Sequence, residues 1–247
     1  MRVLVTDIET SPILAYTWGL RNQFISIDQI VEPTRMLCFA AKWVGEKKTV
    51  FYSEFHHSRE EMVEAAWKLI DEADVVVGYN HKSFDMRHFT REFMEAGMPP
   101  PSPVKLVDLY REARQAYFPS HKLQYVSTAV GLEGKLSHTG FKLWTQCLAG
   151  DPKAWNLFKR YNVQDVKVTE ELYHKLLPYL KTLPISSLYA DDESGAANCP
   201  KCGGGPLVRR GFDYTRLGKY RRYRCNQCQS WSRGKRAVST VELRGIS

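Results

Sequence analysis

The sequence predicts an α/β fold, a mixed sheet flanked by helices, carrying a small basic appendage at its C-terminal end. Three observations predict it. Three early apolar, β-branched runs are followed by alternating helix and strand patterns and then by helices, the order of a layered α/β protein. The 247 residues, 43% hydrophobic and 25% charged, suffice for one sizeable core and a minor addition. Finally, a polar, glycine-containing stretch at 191–198 reads as a linker, and two Cys-x-x-Cys pairs follow it.

Taken in order, Val3, Leu4 and Val5 read as a buried strand that ends at Asp7-Ile8-Glu9-Thr10. Residues 11–33 are polar and aromatic with weak periodicity. They are expected to form a long loop beside the acidic pair, and loops of that length are often functional. Met36 to Val44 and Thr49 to Ser53 form two strands of a hairpin across Gly45-Glu46-Lys47-Lys48. Ser58 with Glu61 is a capping box that opens an amphipathic helix to about Asp71. Val75 to Gly78 is a short buried strand, and a second helix follows with Ser83 as its N-cap. Gly97 and Pro99-Pro100-Pro101 end that helix. Val104 to Val107 is a further strand, leading to helices around 108–117 and 122–130. Asp151-Pro152 places an N-cap before proline at the first helical position and starts a helix that runs to about Lys175. The expected partition is a body over 1–190, a linker over 191–198 and an appendage over 199–247.

Charge divides along the same line. The net charge is +8, yet residues 199–247 hold twelve Lys/Arg against two acids, Asp213 and Glu242, a net +10 that leaves −2 for the rest. A polyanion-binding appendage on a nearly neutral body is implied. No apolar run is long enough to cross a bilayer, and Met1-Arg2 leads straight into a strand rather than a secretory signal. A cytoplasmic protein without membrane contact is expected. Cys38 and Cys147 stand alone in apolar surroundings and read as small core residues.

Asp7 and Glu9, two apart on extended backbone, point to the same side. Like charges that close are unfavourable unless a cation sits between them. Tyr161 and Asp165, four apart on a helix, share one face. Asp85 occupies the first turn of its helix, just after a strand, and strand ends and helix starts converge on one edge of such sheets. Taken singly, Asp85 is a helix-start acid on the dipole, Tyr161 a half-buried core aromatic and Asp165 a surface charge. Together, Asp7, Glu9, Asp85 and Asp165 can meet in one cleft, and an all-oxygen set favours Mg²⁺ or Mn²⁺. Phe84 reads as core. Asn80 either touches substrate backbone or stabilises a turn.

In this order, the DIET stretch at 7–10, Asn80-x-x-x-Phe84-Asp85 and Tyr161-x-x-x-Asp165 resemble the three exonuclease motifs of the DEDD superfamily. The tyrosine marks the DEDDy branch, similar to the proofreading exonuclease of B-family DNA polymerases. A histidine branch would place His five residues before the last Asp, where this chain has Arg160. Lys122-Leu123-x-x-Val126 and Gly134-Lys135-Leu136 resemble the segment between the second and third motifs. The resemblance covers roughly residues 1–180 and implies a ribonuclease-H-like mixed sheet. It also implies hydrolysis of a phosphodiester at a 3′ end with two divalent ions. By that resemblance Asp7 bridges both ions, Glu9 and Asp165 hold the ion that activates water, and Asp85 supports the second. Tyr161 orients the attacking water, since a phenol of pKa near 10 is a poor base at neutral pH.

Cys199-x-x-Cys202 and Cys225-x-x-Cys228, 22 residues apart, have two-knuckle spacing. They look like a zinc ribbon with one structural Zn²⁺ held by four thiolates. Gly203-Gly204-Gly205 permits the tight turn beside the first knuckle, and Arg221 to Arg224 lead into the second as a strand. Arginines, Arg221, Arg222 and Arg224 among them, alternate with Tyr214, Tyr220, Tyr223 and Trp231, a mixture suited to phosphate contact and base stacking. The competing reading is that the aromatics fill the small apolar side of the ribbon and the ribbon docks protein. The expectation is a 3′→5′ exonuclease on DNA 3′ ends, single-stranded, with the ribbon gripping nucleic acid. An exoribonuclease and a catalytically idle nucleic-acid-binding scaffold are the alternatives. The ribbon stands after the third motif where the polymerase pattern has a polymerase domain, which leaves open whether the protein proofreads, degrades or processes ends.

Overall fold

The computed structural model describes residues 1–133, 140–189 and 198–242. The Gly134-Lys135-Leu136 stretch, nearly all of the expected linker and Arg244 lie outside the described residues. The chain divides into two compact units, Arg2–Leu172 and Tyr173–Ser247 together with Met1.

The first unit is built on β1 (Val3–Thr10), longer than the three apolar residues at its start suggest because Asp7 and Glu9 remain in the strand. A small pair follows, β2 (Leu14–Ala15) and β3 (Ile30–Glu32), so the expected loop over 11–33 carries its own two-stranded sheet. Next come β4 (Met36–Trp43), β5 (Thr49–Ser53), α1 (Arg59–Asp71) and β6 (Val75–Gly78). They are followed by α2 (Asp85–Glu95), β7 (Lys105–Asp108), α3 (Leu109–Ala113) and α4 (Leu123–Ala129). Finally come α5 (Phe141–Leu148) and α6 (Pro152–Leu176), whose residues from Tyr173 on count with the second unit. The capping box opens α1 as read: Ser58 Oγ accepts from Glu61 N at 3.1 Å, and the Glu61 carboxylate accepts from Ser58 N at 3.0 Å. Asp151 Oδ1 accepts from Lys153 N at 2.8 Å at the start of α6. The sequence reading has no counterpart for α5. Trp155 of α6 ties down its last turn by donating Nε1–H to Cys147 O at 2.9 Å.

Two expectations around α2 are corrected. Ser83 is not its N-cap; that place is held by Phe84, without a side-chain cap. Ser83 belongs to a turn, its N–H donating to Asn80 O at 3.1 Å. Phe84 consequently precedes the first helical turn and projects from it, exposed, over the His88 ring at 4.7 Å rather than into the core.

The main sheet runs β5-β4-β1-β6-β7. β1 is antiparallel to β4 on one side and parallel to β6 on the other, and β6 is parallel to β7. Strand period two then decides what β1 offers to each layer. Leu4 and Ile8 join a core with Phe39 of β4, Met62, Ala66 and Ile70 of α1, and Phe89 of α2. Val3, Val5, Asp7 and Glu9 point the other way. On that side Leu37 and Cys38 pack with Leu143 and Cys147 of α5 and Trp155 and Phe158 of α6. Cys38 and Cys147 are free, buried core thiols, as read. No described helix is long and apolar enough to cross a membrane.

The second unit holds a three-stranded antiparallel sheet, order β10-β9-β8, from β8 (Leu207–Tyr214), β9 (Gly218–Cys225) and β10 (Trp231–Thr240).

Candidate active site and cysteine cluster

β1 runs on beyond its parallel partner. Pairing with β6 stops at Val5 opposite Val77, whereas pairing with β4 continues past Asp7 opposite Ala40 and Glu9 opposite Cys38. Asp7 and Glu9 therefore stand where the two neighbours of the central strand diverge, the place where open α/β sheets leave a crevice. α6 supplies the third acid. One carboxylate oxygen from each of Asp7, Glu9 and Asp165 lies within 4.8 Å of the others. Asp165 is buried and the other two are half-buried.

Three carboxylates at that distance repel one another unless positive charge or protons intervene. The donors are all oxygen, and the chemistry fits a hard divalent cation.

Asp85 is not in this group of three. It is buried, and its Oδ1 accepts from Ile8 N at 3.1 Å, from the backbone between Asp7 and Glu9. Burial pushes its carboxyl up to about 7, with Asp108 adding to the rise and the Asp85 and Ile8 amides opposing it. Tyr161 is buried beside the trio, its ring 6.4 Å from Trp144. Burial raises its hydroxyl pKa, and the charges of Asp165, Glu9 and Asp7 raise it further. The phenol stays protonated throughout neutral pH and can donate or accept a hydrogen bond without serving as a base.

The sequence reading missed Asn162, next to Tyr161. It is fully buried, and its Nδ2 donates to Asp7 Oδ2 at 2.7 Å and to Asp7 O at 3.2 Å. Its Oδ1 accepts from the Cys38 thiol at 3.9 Å. That thiol remains a donor because burial, then Glu9 and Asp7, push its pKa well up. Asn162 thus fixes both the backbone and the carboxylate of Asp7. The available signal was a poor helix former placed one residue from a candidate on the buried face of a helix.

Asp108, at the end of β7, was missed too. Its Oδ1 accepts from Asn80 N at 2.9 Å and Tyr110 N at 3.1 Å, and its Oδ2 from Lys82 N at 3.4 Å. Those bonds hold the turn after β6, where Asn80 has φ 63°, a conformation asparagine tolerates. The turn is tight enough that a Cβ on Gly78 would come within 2.7 Å of His81 Cβ. Asn80 is exposed and lines a groove of about 710 Å³ with Tyr79, Tyr110, Lys122 and Leu123. Its backbone N–H serves the turn through Asp108.

In the second unit the four cysteines converge, each Sγ within 4.8 Å of the others. Cys199 and Cys228 are 3.6 Å apart and Cys202 and Cys225 3.7 Å. Four sulfurs about 2.3 Å from one tetrahedral Zn²⁺ would lie about 3.8 Å apart, whereas a disulfide needs about 2.05 Å. The set fits zinc. Gly205, at φ 77°, belongs to this geometry, because a Cβ there would meet Cys225 Sγ at 3.0 Å and Gln227 Cβ at 2.7 Å. Burial opposes ionisation of Cys199, yet the amides around it and the Ser230 hydroxyl bring its thiol down to about 6. On the sheet, Arg222 and Arg224 lie over the Trp231 ring, their Cζ atoms 4.9 and 5.8 Å from its centroid. Arg221, one residue out of phase on β9, belongs to the opposite face.

Fold and site together define an α/β protein with an acidic cleft beside its central strand. A family model described as RNase_H_2, of the RNase_H superfamily, matches residues 31–177, more than half of the chain. The chain belongs to that superfamily. The matched span includes Asp85, Tyr161 and Asp165; Asp7 and Glu9 precede it. Among solved structures, the fold is similar to that of the family B DNA polymerase from the hyperthermophilic archaeon Pyrobaculum calidifontis. The TM-score is 0.53 and the identity 20%, over 72% of this chain and 24% of that one. The chain therefore spans about a quarter of the length of that polymerase. No curated protein sequence matches it.

Proposed function

We propose that the protein is a 3′→5′ exonuclease of the DEDDy type that hydrolyses phosphodiester bonds at single-stranded DNA 3′ ends. The observation that carries this reading is the meeting of Asp7, Glu9 and Asp165 at the divergence of the central strands. Likeness of fold to a DNA polymerase supports it.

In this reading Asp7, Glu9 and Asp165 hold two Mg²⁺ or Mn²⁺ ions, and Asp85 supports the site from beneath the Asp7–Glu9 backbone. Bound there, the ions would make the attacking water more acidic and stabilise charge on the leaving oxygen. The chain's own residues do the positioning. Tyr161, kept protonated, orients the water; Asn162 fixes the Asp7 carboxylate; Asn80, Lys122 and Leu123 offer the groove along which a strand lies. Residues 1–190 form the nuclease body, 191–198 the linker, and 199–247 a zinc ribbon that grips nucleic acid.

The test is digestion of 3′- and 5′-labelled single-stranded DNA and RNA with Mg²⁺ or Mn²⁺, comparing the unaltered protein with Asp7→Ala. Shortening from the 3′ end is expected, reduced by about 10³-fold or more in the variant, since cation clamping is worth several kcal/mol. Equal degradation by both proteins would move the active site elsewhere. A preference for RNA would keep the mechanism and change the substrate.

A further inference from the structure

We infer that one face of the ribbon sheet binds single-stranded nucleic acid through its bases, by stacking, as well as through its phosphates. This deepens, and rests on, the reading of the ribbon as a nucleic-acid contact.

Register places the parts. Arg224 of β9 lies opposite Trp231 of β10, and Arg222 lies opposite Arg233. Alternation puts Tyr220, Arg222 and Arg224 on one face of β9. The ring contacts agree: the guanidinium groups of Arg222 and Arg224 lie over Trp231, and Arg233 Cζ lies 4.7 Å over the Tyr220 ring. The result is a row of planar groups in which three guanidinium groups lie against two aromatic rings.

Several of these planes are held in place. Arg222 Nε donates to Arg210 O at 3.0 Å, and Arg233 donates to Asp213 Oδ2 at 2.9 Å. An arginine plane so anchored loses little further freedom when a base stacks on it.

Two observations separate this face from an apolar filling. Trp231 is 50% exposed and Arg222, Arg224 and Arg233 are exposed, whereas the buried residues of the knuckles are Cys199, Cys225 and Ser230. The charge of residues 199–247, a net +10, calls for a polyanion. An acidic protein surface would satisfy the charge but does not present a regular run of flat rings. A duplex would bring phosphates but keep its bases stacked on one another. A single strand offers both, and base–aromatic stacking with arginine support is the sequence-tolerant way to hold it.

The experiment uses the full chain carrying Asp7→Ala, without added Mg²⁺ or Mn²⁺, its zinc content verified by chelator titration. Fluorescence anisotropy compares a short single-stranded oligonucleotide, an abasic strand of the same length and charge, and the corresponding duplex. The single strand is expected to bind roughly tenfold or more tightly than the abasic strand. Adding Trp231→Ala should remove most of that margin while leaving abasic binding, its salt slope and the zinc content unchanged. Trp231→Phe should keep most of the margin. Arg222→Lys, which retains charge but not the plane, should reduce it. A margin untouched by Trp231→Ala, or equal affinity for single strand and duplex at every salt concentration, would leave phosphate contact alone and overturn the inference. Failure of the zinc-loaded protein to bind any of the three probes would instead remove the underlying reading of the ribbon, and the stacking face with it.

Discussion

The two units each gather a set of metal-ligating side chains, but by opposite routes. The acidic cleft is assembled from distant positions: Asp7 and Glu9 on β1, Asp165 on α6. A hydrophobic layer on each side of the sheet packs those elements together. The cysteine cluster is local, two short knuckles at the ends of small strands, with few buried apolar side chains nearby. On the proposed reading, a core positions the acidic ligands and their metal is left to serve chemistry. Where there is little core, the metal serves folding.

The sharpest way to break that contrast is to strip the metal. A strong thiol-competing chelator should withdraw on the order of 10 kcal/mol of folding free energy from the ribbon. Limited proteolysis followed by mass spectrometry should then show cleavage within residues 207–240 while residues 2–133 and 140–172 remain protected. Protection of both regions would mean that the ribbon folds without its ion.

A smaller effect is expected at the positioning residue of the cleft. Asn162→Ala should lower the nuclease rate by about tenfold to a hundredfold, the usual cost of losing a group that orients a metal ligand. It should also raise the Mn²⁺ concentration giving half-maximal rate, a shift that general loosening of the fold would not produce. An unchanged Mn²⁺ requirement would assign Asn162 to packing.

The smallest effect concerns Asp85 and has a defined sign. Its carboxyl is pushed from an ordinary 3.8 up to about 7, so the fold favours the protonated form. The associated stability is complete below the ordinary value and is lost as pH climbs through about 7. Asp85→Asn is neutral at every pH, and its Oδ1 can keep the Ile8 N–H bond. Without divalent ions, the variant should melt higher than the unaltered protein at about pH 8, by at least the roughly 2–4 °C that about 1 kcal/mol is worth in a chain of this size. The gap should close towards about pH 4. A constant difference across that range would mean that ionisation is not its source.

Much of this organisation was legible in the residues because it depends on local rules. Ser58 and Glu61 announce α1, Asp151-Pro152 announces α6, and the apolar runs of β4 to β6 leave little choice. The gathering of Asp7, Glu9 and Asp165 was legible as a possibility, through strand alternation and helical spacing. What sequence could not supply was the third dimension of the polar contacts. Asn162 matters because α6 packs against β1, and Asp108 because β7 ends beside the turn after β6; neither adjacency leaves a spacing signature. Phe84 and Ser83 were misplaced for a related reason. The turn at Asn80 uses up the residues that would otherwise begin α2, delaying the helix to Asp85. The split of Arg221 from Arg222 and Arg224 follows from strand alternation and could have been read in advance.

The carboxylate of Asp108 has a consequence for kinetics. By engaging the Asn80 and Lys82 amides of the turn, and Tyr110 N at the start of α3, it leaves the Asn80 turn little to reorganise on contact. On the proposed reading, a strand entering that groove would meet a wall already set, and little ordering entropy would be spent at that point on association. Capture there should be governed by how often chain ends arrive, and by how quickly they slide in, rather than by waiting for a flap to form.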